Sequence, residues 1–246
     1  MIKTRGIVLK EMRYKDTSKI LRIFTRDYGK ISVMARGAYR PRSQIIANTQ
    51  PFSYNEYQFY RGKNFLYLNQ ADILDSFYSI RERMERVIYG QYILELVDKS
   101  MEIEMENIKI FDLFLKGLQV LSSLESGFME FIVAYELKFI SFLGYRPHLD
   151  GCVMCKEHVI DDFKFSIQEG GIICRECALS DPYKLNINIE MLGGMKELLF
   201  TPLEKVGDLD IDESNLNRLH SLIVDYILYN IDRKKFNTLK HIKIID

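Results

Sequence analysis

The first 75 or so residues alternate between short apolar runs and polar turns. Their β-branched and aromatic content predicts strands at Ile2–Lys10, Ser18–Thr25, Ile31–Ala35, Phe52–Tyr60 and Phe65–Ile73. Asp27-Tyr28-Gly29-Lys30 supplies hairpin chemistry, with Gly29 suited to a positive φ. Residues 36–50 read as a basic, turn-like insertion. Aromatics fall at 52 and 54 and then at 57 and 59, a slip of phase that predicts a β-bulge near Asn55–Glu56. Phe24, Phe52 and Phe65 read as core. Five short strands with hairpin signals fit a small closed barrel of the OB-fold type.

Past Asp75 the period becomes helical. Segments 80–97, 108–121, 128–143, 189–199 and 216–230 carry apolar residues at three- and four-residue intervals. The third stops at Gly144 with Pro147 just beyond. The expected architecture is therefore α+β and multidomain. Residues 1–80 form a five-stranded OB-fold barrel, and residues 81–246 form a helical domain. A metal-binding insert with a hairpin interrupts the helices at about residues 148–180.

Charge sharpens this division. The chain balances 34 basic against 34 acidic side chains, but residues 1–80 hold 14 Lys and Arg against 6 Asp and Glu. The remainder is correspondingly acidic, so a basic working module adjoins an acidic one. Lys30, Arg36, Arg40 and Arg42 follow Arg26 with only Asp27 opposing them, and Arg61 and Lys63 occupy the next turn. Such a cluster points to phosphate contact, since like charges gathered in one region otherwise repel. OB-folds hold single strands by joining cations to aromatic platforms, and Tyr28, Tyr39 and Tyr60 lie near turns where they can serve.

All four cysteines fall within 26 residues, as Cys152-x2-Cys155 and Cys174-x2-Cys177 separated by 18 residues. Two tight knuckles of this kind present four sulfurs to one ion, which predicts a structural zinc site. Gly170-Gly171 would supply the turn that brings the knuckles together. Four thiolates leave no open coordination position, so the ion should brace the insert and do no chemistry. His148 and His158 flank the first knuckle, and His220 and His241 lie further on; all four read as surface or supporting residues. No phosphate-binding glycine loop, nucleophile elbow or zinc-protease motif occurs, which argues against an enzyme. The charged start, Met1-Ile-Lys-Thr-Arg-Gly6, and the absence of a long apolar stretch predict a cytoplasmic protein without a membrane span.

Several runs carry a resemblance to a known family. They are Gly6-Ile-Val-Leu9, Tyr14-Lys-Asp-Thr-Ser-Lys-Ile-Leu21, Phe24-Thr-Arg-Asp-Tyr-Gly-Lys30, Ala35-Arg-Gly-Ala-Tyr-Arg40 and Pro51-Phe52. With Leu143-Gly-Tyr-Arg-Pro147, the paired knuckles and Arg233-Lys-Lys-Phe236, the chain resembles the RecO family of bacterial recombination mediators over its whole length. It departs from the family pattern at Asp16, where Glu is usual, and at Lys156, where Gly often follows the first knuckle.

The resemblance implies a non-enzymatic, nucleoid-associated DNA repair protein. Such a protein binds single- and double-stranded DNA and anneals complementary strands. With RecR it loads RecA onto strands coated by single-stranded-DNA-binding protein (SSB). It implies DNA contact by Lys30, Arg36, Arg40 and Arg42 in the barrel. It also implies reception of the acidic SSB tail by the helical domain, where the helix 128–143 and Arg146 would offer a groove and a cation. The competing reading of Phe131, Tyr135 and Phe139 is plain core packing. An OB-fold zinc-ribbon RNA-binding protein, a protein-binding scaffold and a zinc enzyme stand as alternatives.

Overall fold

The computed structural model describes residues 1–63, 65–157 and 162–245. They form two compact units, Met1–Ser123 with Phe236–Asp246, and Leu124–Lys235.

The first unit is built on strands β1 (Ile2–Tyr14), β2 (Ser18–Thr25), β3 (Gly29–Ala35), β4 (Tyr54–Arg61) and β5 (Leu66–Asp75). They close into a barrel in the order β1-β2-β3-β5-β4, with β4 returning to β1. Only the short β3–β5 pairing is parallel. This is the expected OB-fold barrel. Val8, Leu21, Ile23, Val33, Tyr57 and Phe59 are fully buried inside it, each such side chain contributing roughly 1.5–3 kcal/mol. Gly29 takes φ +64°, and a Cβ there would meet the Met105 carbonyl oxygen at 2.0 Å.

The bulge expected in β4 near Asn55–Glu56 is a correction: β4 alternates regularly and pairs with β1 without a shift, and the two register shifts of the β4–β5 pairing leave the extra residues, Leu74 and Asn69, on β5. Phe52 precedes β4, buried at φ +73°, while Asn55, Tyr57 and Phe59 point inward from the strand. Asn48 donates to the Asn55 side chain (2.9 Å), and the Tyr57 hydroxyl donates to the Asn48 carbonyl (3.0 Å). These bonds fix the end of the β3–β4 loop. Phe65 is a correction: it lies 37% exposed at the entry to β5, outside the core.

Helices α1 (Met84–Ser100) and α2 (Ile108–Ser123) belong to the same unit as the barrel. Phe111 and Phe114 of α2 lie against Phe24, with ring centroids 5.8 and 6.3 Å apart. Asp98 of α1 receives both Nη1 contacts of Arg22, at 2.9 and 2.6 Å. A further helix, α7 (Leu239–Ile245), lies beyond the elements read from periodicity. Glu95 anchors its start by accepting from the backbone N–H groups of Asn237 (2.9 Å) and Thr238 (2.8 Å) and from the Thr238 hydroxyl (2.6 Å).

In the second unit, α3 (Phe128–Phe142) is buried on nearly every side. Phe131, Tyr135 and Phe139 are completely enclosed, so these aromatics are core. A short helix, α4 (Arg175–Ala178), lies in the insert; α5 (Ile189–Phe200) and α6 (Glu213–Asn230) pack on α3. Asn188 and Asp212 cap α5 and α6 through the N–H groups of Met191 (2.8 Å) and Asn215 (3.0 Å), each cap worth about 1 kcal/mol. His220 is a second correction. Its side chain is mostly buried, with Nδ1 3.1 Å from the fully enclosed Glu136 carboxylate. His148 and His241 are exposed, and His158 lies outside the described residues. The insert carries a small sheet ordered β7 (Gly171–Ile173), β6 (Lys164–Ser166), β8 (Lys184–Asn186).

Candidate nucleic-acid interface and metal centre

Some of the barrel's cations are paired, and others, Arg5, Lys10, Arg13 and Lys15 of β1 and its turn among them, are exposed without an ion pair among the described residues. Lys3, Lys19, Arg22 and Arg26 have carboxylate partners in Glu56, Glu11, Asp98 and Asp27. Lys30 joins them, which corrects its assignment as a DNA contact. Only 8% exposed, it lies 3.7 Å from Asp98 Oδ1 and donates to the Asp98 backbone carbonyl. By contrast, Arg36, Arg40, Arg42, Arg61 and Lys63 are exposed and have no ion pair among the described residues. They lie in the loop after β3 and in the β4–β5 turn.

A connected set of aromatic rings accompanies some of these exposed cations. The Arg36 guanidinium sits 4.2 Å from the Tyr67 ring centroid. Tyr67 stacks on Tyr60 at 5.2 Å and 15°, and meets Phe65 edge-on at 6.2 Å and 73°. Phe65 in turn contacts Tyr14 at the tip of β1. Tyr39 is partly exposed, with Lys19 4.7 Å and Arg13 5.7 Å from its ring. The β1–β2 and β4–β5 turns, which OB-folds use with the β2–β3 face for nucleic-acid strands, are thus tied together by side chains. Tyr14, Phe65, Tyr67, Arg13 and Lys15 escaped the sequence reading of the site. Their cue was the density of aromatics and cations at strand ends.

Arg61 and Lys63 also line a groove of about 720 Å³, whose lining includes Asp27, Glu104 and Glu106. Tyr28 lines this groove with Asp27, and Phe65 of the ring cluster lines it too. Carboxylates oppose phosphate there, so the cationic surface meets an acidic border at the β4–β5 turn.

The cysteines converge as expected. The four sulfurs of Cys152, Cys155, Cys174 and Cys177 all lie within 4.8 Å of one another, and Cys155 Sγ is 3.8 Å from Cys174 Sγ. Disulfide sulfurs would lie about 2.05 Å apart, whereas a tetrahedron with Zn–S near 2.3 Å has edges of about 3.8 Å. Burial opposes ionisation of Cys152, but the N–H groups of Cys155, Cys174 and Met154 outweigh it and hold this thiol down to about 6. The neighbouring sulfurs of Cys174, Cys152 and Cys155, together with burial, push Cys177 up to about 12. Thiols this close ionise together only with a cation among them, so the donor set fits a structural metal.

The glycine pair has the expected part in bringing the knuckles together. Gly170 takes φ +73° and accepts from His148 N–H at 2.9 Å; a Cβ on Gly171 would meet the His148 carbonyl oxygen at 2.5 Å. The chain leading into the first knuckle therefore lies flush on β7, which leads into the second. Lys156, which closes the first knuckle's turn, takes φ +67°.

In the second unit, Arg146 lies over the Phe200 ring at 5.0 Å. With Lys196, His148 and Leu199 they line a cavity of about 200 Å³, where Asp150 pairs with Lys196 at 2.9 Å. Among the described residues, no helix is long and apolar enough to cross a membrane.

Together these features define an OB-fold protein with a cation- and aromatic-rich barrel surface and a four-cysteine metal centre. The family description "Recombination protein O N terminal" matches residues 1–77, and "Recombination protein O C terminal" matches residues 81–240. "DNA repair protein RecO" of Alkaliphilus metalliredigens is 34% identical over 245 residues, covering all of both chains. The RecO proteins of Bacillus pumilus and Acetivibrio thermocellus are 32% and 29% identical; the alignments cover 99% and 100% of this chain and 96% and 97% of theirs. The chain belongs to the RecO family of DNA repair and recombination proteins.

Proposed function

We propose that this protein is a recombination mediator that binds single- and double-stranded DNA through its barrel and anneals complementary strands. With RecR, it loads RecA onto SSB-coated strands in the nucleoid. The observation carrying this reading is the sorting of the barrel's cations. Lys19, Arg22 and Lys30 are tied to carboxylates, while Arg36, Arg40, Arg42, Arg61 and Lys63, like Arg5, Lys10, Arg13 and Lys15 of β1 and its turn, are exposed and have no ion pair among the described residues. Unpaired guanidinium and ammonium groups on loops contact phosphates without reading bases, and annealing requires that tolerance, because strands must slide into register. Tyr39 joins this surface, and the functional division falls near residue 80.

The metal in the four-thiolate centre is zinc, held for structure, and the protein is a mediator without catalytic turnover. The acidic, apolar-ended SSB tail is received beside Arg146, Lys196 and Phe200, where cations flank an exposed ring.

Binding of single-stranded DNA, duplex and matched RNA at several salt concentrations tests the reading. Neutralising ~4–5 phosphates of a single strand gives a log–log slope of about −3. A preference for RNA would favour an RNA-binding role through the 2′-hydroxyl, and a flat salt profile would favour a protein scaffold.

A further inference from the structure

Exposed aromatic side chains cost solvation unless something covers them, and the β4–β5 turn presents two. Tyr60 and Phe65 are 38% and 37% exposed, on either side of the turn closed by the Gly62 N–H bond to the Phe65 carbonyl at 2.9 Å. Neither ring is loose. Tyr60 is stacked on Tyr67, which is itself held by the Arg36 guanidinium. Close approach of the Tyr67 ring to Gly62 leaves no room for a Cβ at that position, which would lie 2.4 Å from the ring. Phe65 touches Tyr67 edge-on and Tyr14 at 57°, so no parallel ring covers its faces.

We propose that Tyr60 and Phe65 form a stacking step for unpaired bases, with Tyr67 and Arg36 as the positioning residues that hold it. Base-to-aromatic stacking is sequence-tolerant because every base has a π-face. A duplex hides those faces within its own stack, so the step acts on single strands alone. Arg61 and Lys63 flank it to receive the adjoining phosphates. This proposal rests on the barrel being a DNA-binding surface and adds to it a distinction that charge cannot provide: recognition of the single-stranded state.

Three oligonucleotides of equal length test it by fluorescence anisotropy: a single strand, the same backbone with abasic sites in place of bases, and a duplex. The wild-type protein should bind the base-bearing strand about tenfold or more tightly than the abasic one. The double variant Tyr60→Leu, Phe65→Leu should lose that preference while its affinities for the abasic strand and the duplex stay unchanged. Leucine keeps apolar bulk at these partly exposed positions, and an unchanged melting temperature verifies the fold. Arg40→Ala with Arg42→Ala, which leaves the rings intact, should weaken all three complexes. Equal wild-type affinity for base-bearing and abasic strands overturns the stacking step but leaves DNA binding standing. The same holds if the leucine variant weakens all three alike or none. Failure of the wild-type protein to bind any of the three overturns both readings.

Discussion

Arg36 holds its guanidinium 4.2 Å from the centre of the Tyr67 ring, across the short parallel pairing of β3 with β5. The contact orients a cation that has no carboxylate partner among the described residues, so the charge remains available to an outside anion. Replacing Arg36 and Arg40 together with alanine should weaken DNA binding and annealing in parallel on every sequence tried. The salt slope on single strands should shrink by about 1 to 1.5, with the melting temperature little changed. Annealing at the full wild-type rate would rule out the loop after β3 as the DNA contact. Arg36→Lys should recover the salt slope but hold Tyr67 less firmly, because an ammonium contacts a ring as a point charge and lacks the planar face of a guanidinium.

Lys30 has the opposite fate. Its amine is enclosed against Asp98, and removing it takes a charged donor from the Asp98 backbone carbonyl and leaves the carboxylate paired with Arg22. Lys30→Ala should cost about 2 kcal/mol of stability, read as a lower urea midpoint. DNA affinity measured well below the melting temperature should be unaltered. A loss of affinity without a loss of stability would return Lys30 to the binding surface.

These two residues show which features a sequence can carry. The barrel strands and the cysteine centre are written in local spacing: alternation, turn residues and paired knuckles, whereas the bulges fall on β5, away from the aromatic phase slip before β4. Lys30 looked like its neighbours because its partner stands 68 positions away. His220 looked like a surface residue because Glu136 is 84 positions distant. Phe65 opens a strand-like run, yet strand propensity does not say which end of the run lies inside the barrel. Helix α7 is too short for periodicity to reveal, and its anchor, Glu95, lies 142 positions before Asn237. Local pattern therefore supplied the elements, and long-range pairing decided which charged groups remain available.

Glu95 should leave a mark on the acid limb of the stability curve. Burial opposes its charge, but donors from Thr238, Asn237 and Lys99 outweigh that and bring its pKa to about 2, from an ordinary 4.5. A carboxylate lowered on folding contributes its full stabilisation above the unfolded value, and loses it as pH falls from there through the folded value. Solvent screening of this partly exposed carboxylate reduces the contribution at neutral pH to about 1–2 kcal/mol. Glu95→Ala should therefore lower stability at pH 7 and flatten its decline between pH 5 and 2, as measured by chemical denaturation across that range. Equal slopes for variant and wild type would exclude this anchor as the source.

Metal removal should act on the insert alone. Cys174→Ser, or chelation under reducing conditions, takes away one or all of the thiolates' bonds to the ion. It should raise amide exchange in residues 148–157 and 162–178 while leaving the barrel's exchange and its DNA affinity largely intact. Loss of barrel protection at the same metal concentration would contradict a purely local brace.

The turn of the first knuckle offers a change in the favourable direction. Lys156 occupies the left-handed region at φ +67°, where a side chain costs about 1–2 kcal/mol that glycine avoids. Glycine gives back about 0.5–1 kcal/mol through the freer unfolded chain. Lys156→Gly also removes the Nζ bond to the Val153 carbonyl, 2.8 Å long on an exposed side chain, which water can replace at little cost. The balance favours the variant by about 0.5 kcal/mol. The metal, with zinc as the probe ion, should then be held about twofold more tightly, measured by competition with a chromophoric chelator at fixed pH. Weaker retention would mean that the lysine's bond across the knuckle outweighs its backbone strain.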